Sequence, residues 1–144
     1  KTADGKSIIA GALGTVPGAD GKALEEFTQY WGEKTDNKPV TAYVPHTWDA
    51  TILLMLAAEA SKSNTGEGIK SKIRDVAGGE GVEVTNPCEA IELIRNGEEI
   101  NYQGASGNVD IDENGDVVGV YDVWRVEPDG SLKIVDKVEP IIVR

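Results

Sequence analysis

The stretch Ala50 to Ala60, ATILLMLAAEA, limits what this chain can fold into more than any other segment. Its only charge is Glu59, and strong helix formers dominate it. A helix made from it is apolar nearly all round. Such a helix has almost no solvent face, so it is expected to be sandwiched in a core. The longest unbroken apolar run, Ile52 to Ala58, falls far short of the roughly 18 residues that a membrane span needs. Upstream, Pro45 breaks the chain and Thr47 can cap, which predicts a helix from Trp48 to about Ser61.

The flanking segments supply the elements that could cover it. Leu24, Phe27 and Trp31 recur at i, i+3 and i+7, one face of a helix, until Asp36-Asn37-Lys38-Pro39 breaks it. Asn64-Thr65-Gly66-Glu67 has capping-box spacing ahead of Ile69, Ile73 and Val76. Asn86 as cap, Pro87 as first residue, Glu89 near the start and Gly97 as stop define another helix, with Ile91, Leu93 and Ile94 on its apolar side. Two strands are expected: Ser7 to Leu13, stopped by Gly14-Thr15-Val16-Pro17-Gly18, and Val40 to Val44. Past Asn108 the pattern alternates, with turns at Glu113-Asn114-Gly115 and Asp129-Gly130. That predicts two hairpins, the first through a type I′ turn. This order of elements predicts an α/β layer architecture with an antiparallel or mixed addition at its end.

The 144 residues suit one ordinary domain or a piece of a larger one. Aspartate and glutamate number 25 against 14 lysines and arginines, a net charge of −11 that repels phosphate backbones and anionic lipid. Nucleic acid is therefore not an expected partner. One cysteine and one histidine exclude the usual His/Cys zinc site and any internal disulfide. No metal or other cofactor is expected. The sequence opens at Lys1 with neither Met nor a basic-then-apolar leader, so the numbering is expected to start inside something longer or after processing.

Four constellations could carry chemistry. Asp110, Asp112, Asn114, Gly115 and Asp116 match the opening of a calcium loop, but the last position, which needs a bidentate Glu, is Tyr121. A hairpin turn is the expectation there. Cys88, second in its helix, lies where free amides and the helix dipole favour a thiolate. A nucleophile also needs a base, and His46 is the sole histidine. A buried thiol, or half of a disulfide whose mate lies outside this chain, is the plainer expectation. Tyr43 to Asp49 sits where a predicted strand meets a helix. Ligands in α/β sheets bind beyond such strand ends, and Tyr43 and His46 offer a stacking face and polar tips. Trp48 is expected to pack in the core and Asp49 to help cap the helix. Finally, Gly14 to Gly18 lacks the lysine and spacing of a phosphate loop; its backbone could approach a ligand carboxylate near Thr15, but a mere turn is the plainer expectation. No facing pair of carboxylates suggests general acid–base chemistry.

Taken in order, the motifs resemble a known family. Gly-Thr-x-Pro-Gly precedes a Phe-x-x-Tyr-Trp helix, then Tyr-Val, then Trp-Asp-Ala and an Ala/Leu-rich helix. The end reads Tyr102-Gln-Gly104-Ala-Ser-Gly107-Asn-Val-Asp-Ile-Asp-Glu-Asn-Gly-Asp116, then Tyr121-Asp-Val-Trp124-Arg-Val-Glu-Pro-Asp-Gly130. From Ser7 to Val138 the chain resembles the C-terminal portion of type I periplasmic solute-binding proteins of the branched-chain amino acid (Leu/Ile/Val-binding) type.

The resemblance implies two α/β lobes of three αβα layers, joined by three hinge strands and closing on a ligand. Residues 1–22 and 119–144 would belong to the C-terminal lobe and residues 23–118 to the N-terminal lobe, with hinge passages near Gly18–Lys22 and Val117–Gly119. It implies a non-enzymatic, extracytoplasmic component of an ABC importer. That component would bind a neutral or branched-chain amino acid and hand it to a membrane permease. It places an aromatic at Tyr43 against the ligand, with His46 beside it and Thr15 a further candidate. Since the family is about twice as long, the chain is expected to be a fragment holding part of the site, with apolar faces that favour self-association or element swapping. Two alternatives stand beside this: a small thiol enzyme built on Cys88, and a ligand-sensing receptor ectodomain of the same fold.

Overall fold

The structure, a computed structural model, describes residues 1–139. The chain divides into two compact units, one of residues 1–18 with the chain from 119 onward, the other of residues 19–118.

The first unit is a three-stranded antiparallel sheet in the order β1-β4-β5, formed by β1 (Leu13–Pro17), β4 (Tyr121–Val126) and β5 (Leu132–Val138). Leu13 pairs with Arg125 and Pro17 with Tyr121. The expected strand at Ser7–Leu13 is instead a run of turns that leaves Ile8 and Ile9 exposed, and the strand is the Gly-Thr-x-Pro segment itself. Its glycine and proline read as a stop because they weaken central strands. β1 is an edge strand, where a proline at the last position is tolerated. Gly14 also lies under Trp124, whose ring would be 2.2 Å from a Cβ there. A side chain at Gly14 would push that indole off the sheet. The β4–β5 hairpin turns as expected at Asp129-Gly130, with Gly130 at φ +95° and its N–H donating to Glu127 O at 2.9 Å.

The second unit holds α1 (Leu24–Thr35), α2 (Val44–Ser61), α3 (Gly66–Ala77), α4 (Pro87–Arg95) and a parallel pair, β2 (Val82–Val84) with β3 (Ile100–Tyr102). Local chemistry sets α3 and α4. Thr65 accepts from Gly68 N–H, and Asn86 Oδ1 accepts from the amides of Cys88 and Glu89. Gly97 follows α4 at φ +86°.

The core forms where α2 meets α3, α4 and the parallel pair. Ile52, Leu53, Leu56 and Ala57 of α2 join Val76, Ala77, Val84, Ala90, Ile100 and Tyr102. Complete burial of Leu56 alone contributes about 1.5–3 kcal/mol. The helix is not sandwiched all round, however. Leu54 and Met55 stay about half exposed, at 48% and 49%.

Three further expectations are corrected. Val40–Val44 forms no strand; it is loop and turn, and α2 begins at Val44. Pro45, whose fixed φ suits the first helical turn, starts the helix ahead of Thr47. Thr47 therefore does not cap, and its hydroxyl donates back to Tyr43 O at 2.9 Å. The turn at Asp112–Gly115 is not type I′ either, because only Gly115 takes positive φ, at +95°. Asp112 organises it by accepting from the amides of Asn114 and Asp116, both at 2.8 Å, which leaves a single bridge between Ile111 and Val117. These amides, Asp116 foremost, hold the Asp112 carboxyl below its ordinary pKa.

Candidate functional site

β2 and β3 point their carboxyl ends toward the start of α2. Tyr102 closes β3, Gln103 N–H still donates to Val84 O at 2.9 Å, and Gly104-Ala105-Ser106 then runs past Asp49 on α2. The carboxyl end of β3 thus meets α2 at Asp49, whereas the segment before Pro45 is not a strand.

Tyr43 is the residue before the helix and adopts φ +69°, ψ −14°. For a bulky non-glycine residue this left-handed conformation is an outlier costing about 1–2 kcal/mol. The residue is 57% exposed, and its ring meets His46 at 6.2 Å between centroids. His46 Nδ1 is shielded from solvent with no hydrogen-bond partner among the described residues, and Trp31 Nε1 is likewise unpartnered. Trp48 lies between Phe27, at 5.4 Å, and Tyr30, at 5.5 Å, and packs against both core clusters of this unit. Beside these rings a cavity of about 370 Å³ is lined by Phe27, Trp31, Ala42, Tyr43, Val44, Thr47, Trp48 and Thr51. Its walls are largely apolar. The hydroxyls of Thr47 and Thr51 are turned back to carbonyls of their own helix. Such a cavity admits a hydrocarbon or aromatic group and offers little to a charged one.

Asp49 is fully buried beneath this surface. Its carboxylate accepts from Tyr102 Oη at 3.2 Å, Ala105 N–H at 2.9 Å, Ser106 N–H at 2.7 Å and Ser106 Oγ at 2.5 Å. Burial, and then the Asp49 charge beside it, raise the Tyr102 phenol above its ordinary pKa, while Trp48 as a donor pulls slightly the other way. Asp49 was expected to assist a cap; it anchors the 104–106 loop instead. An acid in the second turn of an apolar helix was the one signal available.

Of the candidate ligand residues, Tyr43 and His46 come together. Thr15 lies in the other unit, exposed on β1 and paired with Val123. Cys88 is exposed and free, which overturns the buried-thiol alternative but not that of a disulfide partner outside this chain, and no hydrogen bond among the described residues joins it to His46. No group of three or more His, Cys, Asp or Glu among the described residues could hold a metal ion. No helix among them is long and apolar enough to cross a membrane.

Comparison with known proteins agrees in kind. The family described as "receptor family ligand binding region" matches residues 1–129. The chain is 37% identical over 79 residues to the chemotactic signal transduction system substrate-binding protein BasB of Halobacterium salinarum, over 54% of this chain and 19% of that protein. Its fold is similar to the crystal structure of a leucine binding protein, LivK, from Thermotoga maritima. There the TM-score is 0.59 and the identity 25%, over 92% of this chain and 32% of the other. The chain thus spans about a fifth of one relative and a third of the other. All three matches are to ligand- or substrate-binding proteins, not enzymes.

Proposed function

Because the chain belongs to the receptor ligand-binding region family, whose fold is that of type I periplasmic binding proteins, we propose that it forms part of an extracytoplasmic protein capturing a neutral or branched-chain amino acid between two lobes. The family match over residues 1–129 carries this reading. Residues 1–18 and those from 119 onward would contribute to one lobe and residues 19–118 to the other. The apolar cavity at the start of α2, with the exposed Tyr43 ring and His46 beside it, supports a ligand with an apolar side chain. Capture would be non-covalent, by lobe closure about the crossing segments, and the bound solute would pass to a membrane permease of an ABC importer.

The named relative BasB serves a chemotactic signal transduction system. That favours a second reading in which the same capture reports to a receptor rather than a permease. Calorimetry on the complete protein tests the ligand class. Leucine, isoleucine or valine should bind, and sugars and inorganic anions should not. Binding of urea, short amides or aromatic acids, with no heat from any amino acid, would overturn the proposal. Deleting the permease gene then separates the two readings, since uptake falls in the first and only the behavioural response depends on the protein in the second.

A further inference from the structure

The chain enters the helical unit at Ala19, and what holds it there is a loop from the far end of that unit. Asp20 N–H donates to Ser106 O at 3.3 Å, Gly21 N–H to Ala105 O at 3.2 Å, and Ala23 N–H to Gly104 O at 3.3 Å. The same loop, through the amides of Ala105 and Ser106 and the Ser106 hydroxyl, is bound to the buried carboxylate of Asp49. Two glycines make the stack possible. A Cβ on Gly21 would come within 1.9 Å of Gly104 O, and one on Gly104 within 2.5 Å of Asp49 Oδ2. Ala23 is the residue before α1 and has no side-chain cap, so the loop carbonyls are what registers the start of that helix. α1 in turn carries Phe27 and Tyr30, whose rings meet Trp48, and Phe27 and Trp31, which line the cavity.

We infer that Asp49 is a positioning residue that locks the entry segment Asp20–Ala23, and with it α1, to α2 through the Gly104–Ser106 loop. One negative charge in a buried site accepts four donors, and each charge-assisted bond there outweighs a neutral one. A neutral amide cannot reproduce the pattern. Asparagine would turn a donor toward the Ser106 N–H or the Ala105 N–H and leave at least one buried amide unpaired. Asp49 thereby sets the spacing of the two helices that shape the cavity. Only that last link rests on the ligand-binding reading; the coupling itself can be measured with no ligand.

The test is hydrogen exchange on the whole chain, wild type against Asp49→Asn and the milder Ser106→Ala. Exchange at Ala105 and Ser106 should rise at least about tenfold in D49N. The amides of Asp20, Gly21 and Ala23 should rise with them, while those of α3 and α4 stay as in wild type. The near-ultraviolet circular dichroism of the Phe27–Trp48–Tyr30 cluster should change with the far-ultraviolet helix signal intact. Ser106→Ala should show the same pattern, smaller, and decides the matter if D49N does not fold. Faster exchange confined to residues 104–106, or a uniform rise across all four helices, would overturn the inference.

Discussion

Replacing Tyr43 by glycine and, separately, by alanine tests whether its backbone conformation is kept for its ring. At φ +69° a non-glycine residue is strained by about 1–2 kcal/mol, and glycine removes that. Glycine costs about 0.5–1 kcal/mol in added freedom of the unfolded chain, and it is acceptable at the position before a helix. The ring is mostly exposed and has one recorded aromatic neighbour, His46, so little packing is lost with it. Tyr43→Gly should therefore stabilise the helical unit by about 0.5–1 kcal/mol. Tyr43→Ala keeps the strain, loses the ring and should be neutral or slightly destabilising. A gap near 1 kcal/mol corresponds to roughly 4–8 °C in Tm for a unit of this size. Among the described residues all four helices lie in residues 19–118, so the helix signal in thermal unfolding reads that unit. In the complete protein both variants should lose about 1–3 kcal/mol of amino-acid affinity if the ring is a major contact. The reasoning fails if glycine destabilises as much as alanine, or if either variant binds as tightly as wild type.

Leu56→Ala, at a site with no solvent exposure, should cost about 2–5 kcal/mol in urea unfolding, against under about 1 kcal/mol for the half-exposed Leu54→Ala; equal losses would show that the α2 face is misassigned. The buried Tyr102 phenol titrates above its ordinary value near 10 in the folded chain. The folded form thus holds its proton where the unfolded one has released it. Stability from this group is complete below about pH 10 and should fall above it by up to about 1.4 kcal/mol per pH unit. Tyr102→Phe should remove that dependence, and an unchanged alkaline profile would contradict it. The exposed apolar residues Leu54, Met55, Ile8, Ile9, Leu13 and Leu132 should drive self-association of this chain at micromolar concentration. Light scattering from a folded monomer would refute that, and Leu54→Lys with Met55→Glu should shift the equilibrium toward monomer.

What was legible in the sequence was local. Asn86 announces α4, and the Asn64–Glu67 spacing announces α3 one residue ahead of its actual cap, Thr65, because a side chain reaches an amide two or three residues on and that chemistry needs nothing distant. The Asp129-Gly130 turn and the apolar run of α2 are legible for the same reason. The ordered set of short motifs also sufficed to indicate the family. β2 and β3 were not legible. Three residues are too few to show a period of two, and their pairing joins Val82 to Ile100 across α4. β1 was missed because its partner lies more than a hundred residues along, where Leu13 meets Arg125. The left-handed turn at Tyr43 was likewise invisible, since no glycine marks it.

The sequence by itself determined the helices that carry their own caps, the acidic charge and the family. Tertiary structure alone decided which strands pair, and that the segment before Pro45 is loop and turn rather than a strand. It also turned Asp49 from a helix-start acid into the buried anchor of a loop more than fifty residues away. Hydrogen-bond donors from Tyr102, Ala105 and Ser106 reach that carboxylate only after the chain has folded back on itself. Until then nothing near Asp49 in sequence marks it as different from any other acid in a helix.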